Sequence, residues 1–115
     1  MPDVPPGVAV IIPCYNAGRT LAQTIESAIR QPGLTELVVI DDGSTDGSAD
    51  IARHYLPADQ VLVGPNRGVS SARNRGIAET RSEWLLFLDA DDLLTPGTIE
   101  RRLAVADEAD VIACD

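Results

Sequence analysis

Val8-Ala9-Val10-Ile11-Ile12-Pro13-Cys14-Tyr15-Asn16 opens the interpretable part of the chain. Its first five residues are apolar, mostly β-branched and uninterrupted. That is the composition of a strand buried on both faces, the kind found in a parallel sheet covered by helices. Pro13 to Gly18 reads as the loop that follows it. Outward from this strand, short apolar runs alternate with helix-period segments. Thr20 to Arg30 places Leu21, Ile25, Ala28 and Ile29 on one helical stripe. Gln31-Pro32-Gly33 ends that helix, because proline cannot continue it and glycine turns the chain. Leu37 to Ile40 is a second buried strand, and Asp46 is placed to cap a helix running to about Tyr55. Gln60 to Val63 reads as a third strand, Val69 to Glu79 as a third helix, and Trp84 to Leu88 as a fourth strand. Pro96-Gly97 opens a fourth helix to about Ala109, and Asp110 to Cys114 begins a fifth strand. This alternation predicts an α/β fold, a three-layer Rossmann-like sandwich with a mostly parallel sheet.

The chain has 115 residues, enough for one domain, and 44% of them are hydrophobic. A domain of this size buries roughly 60–70% of the surface its unfolded chain exposes. Its net charge is −9, and all nine basic residues are arginine. So acidic a chain repels phosphate backbones, which argues against a nucleic-acid partner. Cys14 and Cys114 are far apart and form no C-x-x-C pattern, so two small buried side chains are expected rather than a disulfide or metal site. Residues 1–7 carry no basic residue and are expected to be flexible. The run from Val8 to Ile12 is too short for a signal-peptide core or a membrane span. The expected location is cytoplasmic, with membrane association of a longer parent left open.

In an open parallel sheet, ligands sit beyond the carboxyl ends of the strands. Three polar clusters fall at those ends: Pro13 to Asn16, Asp41 to Asp46, and Asp89-Ala90-Asp91-Asp92. Within each acidic cluster the carboxylates are expected to repel one another, which a bound cation relieves. The third cluster is the sharpest. Two aspartates one residue apart, straight after a buried strand, leave a carboxylate available to a hard divalent ion such as Mg²⁺ or Mn²⁺, which keeps positions free for phosphate oxygens. The bland reading is a capping residue before a turn. The second cluster imitates the opening of an EF-hand loop, but the twelfth position counted from Asp42 is Arg53, where that loop needs a bidentate glutamate. Asp42, at a strand end, is better placed to accept hydrogen bonds from a ribose or a base N–H. Gly68 permits close backbone approach at the start of the third helix, where anions are favoured. Arg67, Arg73 and Arg75 stand there against an acidic background. Surface salt bridging accounts for Arg75; for Arg67 and Arg73, ligand or site-ordering roles stand beside plain solvation.

Taken in order, Ile12-Pro13-Cys14-Tyr15-Asn16, Val39 to Asp46, Asn66-x-Gly68 with Ala72-Arg73-Asn74-x-Gly76, and Leu88 to Asp92 resemble the motifs of family 2 glycosyltransferases. The resemblance runs over residues 8–115. It implies the A-type glycosyltransferase fold, a nucleotide-sugar donor, with UDP-sugar foremost, and Mg²⁺ or Mn²⁺. By the same resemblance Pro13 and Tyr15 border the base, and Asp42 binds the uracil or ribose. Gly68, with Arg67 or Arg73, lies beside the nucleotide; Asp89 contacts the ribose and Asp91 coordinates the metal. Members of that family are about twice as long. The chain therefore reads as the nucleotide-sugar-binding part of a truncated glycosyltransferase domain, with the acceptor half and the general base expected beyond residue 115. The sugar's acceptor, whether saccharide, lipid or protein, is not indicated. Donor binding without turnover is expected, with self-association through the uncovered sheet.

Two other classes compete. Phosphatases of the haloacid-dehalogenase type also place Asp-x-Asp after a strand, but they need a downstream lysine, and this chain has none. A non-catalytic nucleotide-binding or interaction domain of the same fold is the other; titration with UDP and Mn²⁺ and a turnover assay on the longer parent separate it. A dinucleotide oxidoreductase is disfavoured, because no G-x-G-x-x-G follows the first strand.

Overall fold

The computed structural model describes residues 7–104 and 112–113. Its elements run β1 (Val8–Cys14), α1 (Leu21–Ile29), β2 (Leu34–Asp42), α2 (Ser48–Arg53), β3 (Val61–Gly64), α3 (Val69–Glu79), β4 (Trp84–Phe87), α4 (Thr98–Ala104) and β5 (Ile112–Ala113). The five strands form one sheet in the order β3-β2-β1-β4-β5. Every neighbouring pair is parallel. The expected α/β sandwich is therefore the observed one.

Strand periodicity divides the core into two layers. Val8, Val10 and Ile12 of β1, Val39 of β2 and Leu86 of β4 face Leu21, Ile25 and Ala28 of α1, Ala52 of α2 and Ile99 of α4. Ile11, Val38 and Ile40 face the opposite way, onto Ala72 of α3, with Leu85 and Phe87 packed alongside. The buried side chains of α3 are Ala72 and Gly76. A Cβ at Gly76 would overlap Ile11 Cγ2 and lie 3.2 Å from Ile11 Cδ1. The bare glycine lets this polar helix lie directly on the central strand.

Several boundaries differ from expectation. β1 continues through Pro13 and Cys14, which pair with Ile40 and Asp41 of β2. Proline has no N–H for a ladder, but its position absorbs the loss. Ile11 directs its carbonyl to the N–H of Leu88 on the β4 side. Backbone groups alternate sides along a strand, so Pro13 turns its missing N–H to the same side, where β4 has already ended. Ile29 is 45% exposed and lies off the buried stripe of α1. α2 stops at Arg53, and Asp46 acts from one position before the N-cap, which is Gly47 at φ 82°. Cys14 is buried with a free thiol, and burial pushes its pKa up. Cys114, residues 1–6 and the expected continuation of the fourth helix through 105–109 lie outside the described residues.

Candidate functional site

The chain leaves β1 for β2 and β3 on one side, then returns to β4 on the other. Loops diverge at such a switch point and open a crevice above the strand ends. Here it is a cleft of about 470 Å³ lined by Pro13, Tyr15, Asn16, Arg19, Asp46 and Asp91, among others. Pro13 and Tyr15 also border a notch of about 80 Å³ with Asp42 and Val69. Asp42 and Arg67 line a third recess of about 320 Å³ between β2, β3 and α3. Three adjoining hollows thus run along one rim, joined by shared residues. They gather the expected Pro13, Tyr15, Asp42, Arg67 and Asp91.

At the β4 end, one carboxylate oxygen each from Asp89, Asp91 and Asp92 lie within 4.8 Å of one another. Asp89 and Asp91 are exposed and Asp92 is half-buried. Oxygens on one Mg²⁺, at about 2.0–2.1 Å from the ion, sit no more than about 4.2 Å apart. Small rotations of the two exposed side chains bring the set into that range, so the donors present fit a hard divalent ion. The sequence reading singled out Asp91; the geometry adds Asp89 and Asp92 as neighbours. Asp91 faces the 470 Å³ cleft. Asp89 meets Arg73 Nη2 at 3.6 Å. The Arg73 guanidinium lies 5.6 Å from the centroid of the Phe87 ring, a cation–π arrangement. Arg73 Nε is buried and has no hydrogen-bond partner among the described residues.

The other acidic cluster has a different character. Asp41, Asp42 and Asp46 do not converge; each carboxylate turns to a different stretch of backbone. Asp41 accepts the Ser44 N–H at 3.3 Å. Asp42 accepts the N–H groups of Arg67 and Gly68 at 2.8 and 2.9 Å, one on each oxygen. Asp46 accepts the Gly18 N–H at 2.9 Å and both the N–H and hydroxyl of Ser48. The Ser48 hydroxyl, then the Gly18 N–H, hold the Asp46 carboxyl below the usual carboxylate range. Backbone donors and the Ser48 hydroxyl offset the repulsion expected here. Asn16, at φ 49°, completes the tie: its N–H reaches Ser44 Oγ and its side-chain oxygen accepts the Thr45 N–H. Arg75, expected in a surface ion pair, donates to the Val63 carbonyl at 2.9 Å.

Sequence reasoning missed a polar row that runs along α1 and its two flanks. Thr20, Thr24, Ser27 and Gln31 recur at helix spacing, and all four bond the segment between Ala90 and Ile99. The spacing was visible, but a polar row on a helix ordinarily faces water.

A family model described as "Glycosyl transferase family 2" matches residues 9–115. The chain belongs to this family. Among curated relatives, it is 40% identical over 114 residues to the uncharacterized glycosyltransferase YibD of Escherichia coli K12, covering 94% of this chain and 33% of that protein. Among solved structures it resembles S. aureus TarS 1–349 in complex with UDP-GlcNAc, at 30% identity and a TM-score of 0.76, over 89% of this chain and 31% of that one. It also resembles the mannosyltransferase PcManGT of Pyrobaculum calidifontis in complex with GDP-Man and Mn²⁺, at 28% identity and a TM-score of 0.64, over 79% and 31%. The family 2 chain therefore spans about a third of the length of the proteins it matches, so these run about three times as long rather than the expected twofold. Among the described residues, no helix is long and apolar enough to cross a membrane.

Proposed function

We propose that this family 2 chain binds the donor of a glycosyl transfer, a UDP-linked sugar, in the presence of Mg²⁺ or Mn²⁺. The observation that carries the reading is the Asp89–Asp91–Asp92 carboxylate group, of which Asp91 lines the 470 Å³ cleft. Asp91 would hold the cation, with Asp89 and Asp92 beside it. A divalent ion bound there supplies positive charge to the diphosphate that leaves with the nucleotide. Pro13 and Tyr15 would border the base, with Asp42 at the nucleoside end of the same rim. Arg73, paired with Asp89 at 3.6 Å, would bring positive charge to the β4 end of the rim. The UDP complex in the TarS match, which covers more of this chain than the GDP complex, favours a uridine nucleotide.

Transfer also needs a positioned base for the acceptor hydroxyl, worth roughly 10²–10⁴-fold in rate. The sole histidine, His54, caps the C-terminal end of α2, opposite the rim. Donor binding, rather than turnover, is the activity assigned to these 115 residues.

The test is calorimetry with UDP and Mn²⁺ on the wild type and on Asp91→Asn. The variant should lose the Mn²⁺-dependent part of the affinity and keep its circular dichroism spectrum. Undiminished affinity would overturn the assignment of Asp91. With UDP-sugars, Mn²⁺ and acceptors, the chain should form no glycoside above background; sustained turnover that Asp91→Asn abolishes would show that a base lies within these residues.

A further inference from the structure

We infer that Thr24, assisted by Thr20, is a positioning residue that sets the backbone of the Asp89–Asp92 turn and thereby the aim of the Asp91 carboxylate. This rests on the reading of Asp91 as the cation ligand. The peptide between Ala90 and Asp91 is held through the Ala90 carbonyl, which accepts from Thr20 Oγ1 at 2.8 Å and lies 2.9 Å from Thr24 Oγ1. The peptide between Asp91 and Asp92 is held through the Asp92 N–H, which donates to the Asp89 carbonyl at 3.0 Å. The peptide between Asp92 and Leu93 is held through the Asp92 carbonyl, 2.7 Å from Thr24 Oγ1. Three consecutive planes are thus pinned, and the dihedrals of Asp91 and Asp92 lie between them.

Each threonine hydroxyl has one proton. Thr24 has two carbonyls in reach and can serve one fully. Thr20 lies 3.3 Å from the Ala17 carbonyl and makes its shorter bond to Ala90, at 2.8 Å, which leaves the Thr24 proton to Asp92 at 2.7 Å. The two hydroxyls thus divide the two carbonyls of the turn between them. Thr24 is wholly buried, so no water replaces its hydroxyl. Below them, Ser27 Oγ accepts the Leu94 N–H at 3.1 Å, and Gln31 both donates to the Thr95 carbonyl and accepts the Ile99 N–H. These lower bonds anchor the chain leaving the turn, so the turn is tied to α1 along its whole exit. Asp91 has an exposed side chain with little packing of its own; its aim is inherited from the backbone beneath it.

The experiment uses the 115-residue chain as wild type, Thr24→Val, Thr24→Ser, Thr20→Val and Asp91→Asn. Mn²⁺ binding in the presence of UDP is read by electron paramagnetic resonance. Metal-free uridine binding is read by calorimetry. Partners that orient metal-binding groups typically change affinity roughly 10–100-fold when removed. Thr24→Val should lose Mn²⁺–UDP affinity in that range and keep uridine affinity, and Thr24→Ser, which retains the donor, should restore most of the loss. If Thr24→Val does not fold, Thr20→Val carries the comparison, since it leaves one Thr24 proton for two carbonyls and should weaken Mn²⁺–UDP alone. Wild-type Mn²⁺–UDP affinity in the threonine variants, alongside its loss in Asp91→Asn, overturns this inference and leaves the donor-site reading standing. Equal loss of uridine and Mn²⁺–UDP reduces Thr24 to a general structural role and also overturns it. Intact affinity in Asp91→Asn overturns the cation-ligand reading and the inference with it.

Discussion

Replacing Asp42 by asparagine tests how the nucleoside end of the rim is built. Asp42 closes β2 and is 9% exposed. Its two oxygens each accept one backbone N–H, from Arg67 and Gly68, immediately before α3. Asn66 adds a bond to the Asp42 carbonyl at 3.1 Å, and its backbone nitrogen would lie 2.7 Å from any Cβ at Gly43. The two loops are therefore in contact, and neither can drift to compensate. Hydrogen bonds to a charged group contribute about 1.5–3 kcal/mol each. Asparagine keeps the shape but offers one oxygen, and turns its amide donors toward the remaining N–H. One charge-assisted bond is lost, so Asp42→Asn should cost about 2–3 kcal/mol. For a domain of this size that is a fall in melting temperature on the order of 10 °C. Thermal unfolding by circular dichroism measures it, and uridine calorimetry on the same samples measures the ligand effect without diphosphate or metal. Asp42→Ala should weaken UDP and uridine alike. An unchanged melting temperature in Asp42→Asn would refute the clamp. A variant that lost UDP binding only when metal was present would instead move Asp42 into the cation site.

Gly76→Ala should destabilise the chain by about 1 kcal/mol in urea unfolding: overpacking against buried Ile11 costs about 1–3 kcal/mol, and alanine's better helix propensity returns about 1 kcal/mol. A net gain in stability would mean that α3 moves off β1 freely. Asp46 holds its proton more weakly in the folded chain, so its tie between the two rim loops is present above the ordinary value of 3.8 and is lost as pH falls through its lower folded value. The Gly18 amide resonance should report a midpoint below 3.8, and a midpoint at or above it would show that the Gly18 and Ser48 bonds are not formed in solution.

The strand cores were legible because a strand covered on both faces must be apolar at successive positions, and Val8 to Ile12, Leu37 to Ile40 and Trp84 to Leu88 are. Their ends were not. Pro13, Cys14, Asp41 and Asp42 read as loop, yet they pair across the sheet, because pairing depends on what the neighbouring strand offers rather than on the residue itself. The rim was legible as a set of unusual polar clusters after apolar runs. Residue type alone separated neither their partners nor their roles. Asp42 meets amides 25 and 26 residues away, and Asp46 meets one 28 residues back, whereas Asp89, Asp91 and Asp92 face each other across one turn. Both clusters read as acidic crowding; the fold turned one set of carboxylates to separate backbone donors and gathered the other set within 4.8 Å. The row Thr20, Thr24, Ser27 and Gln31 marks the same boundary from the other direction. Its spacing is in the sequence, but a hydroxyl on a helix bonds water unless another chain segment covers it. Only the folded path from Ala90 to Ile99 along α1 places carbonyls and amides against those side chains and shuts the water out.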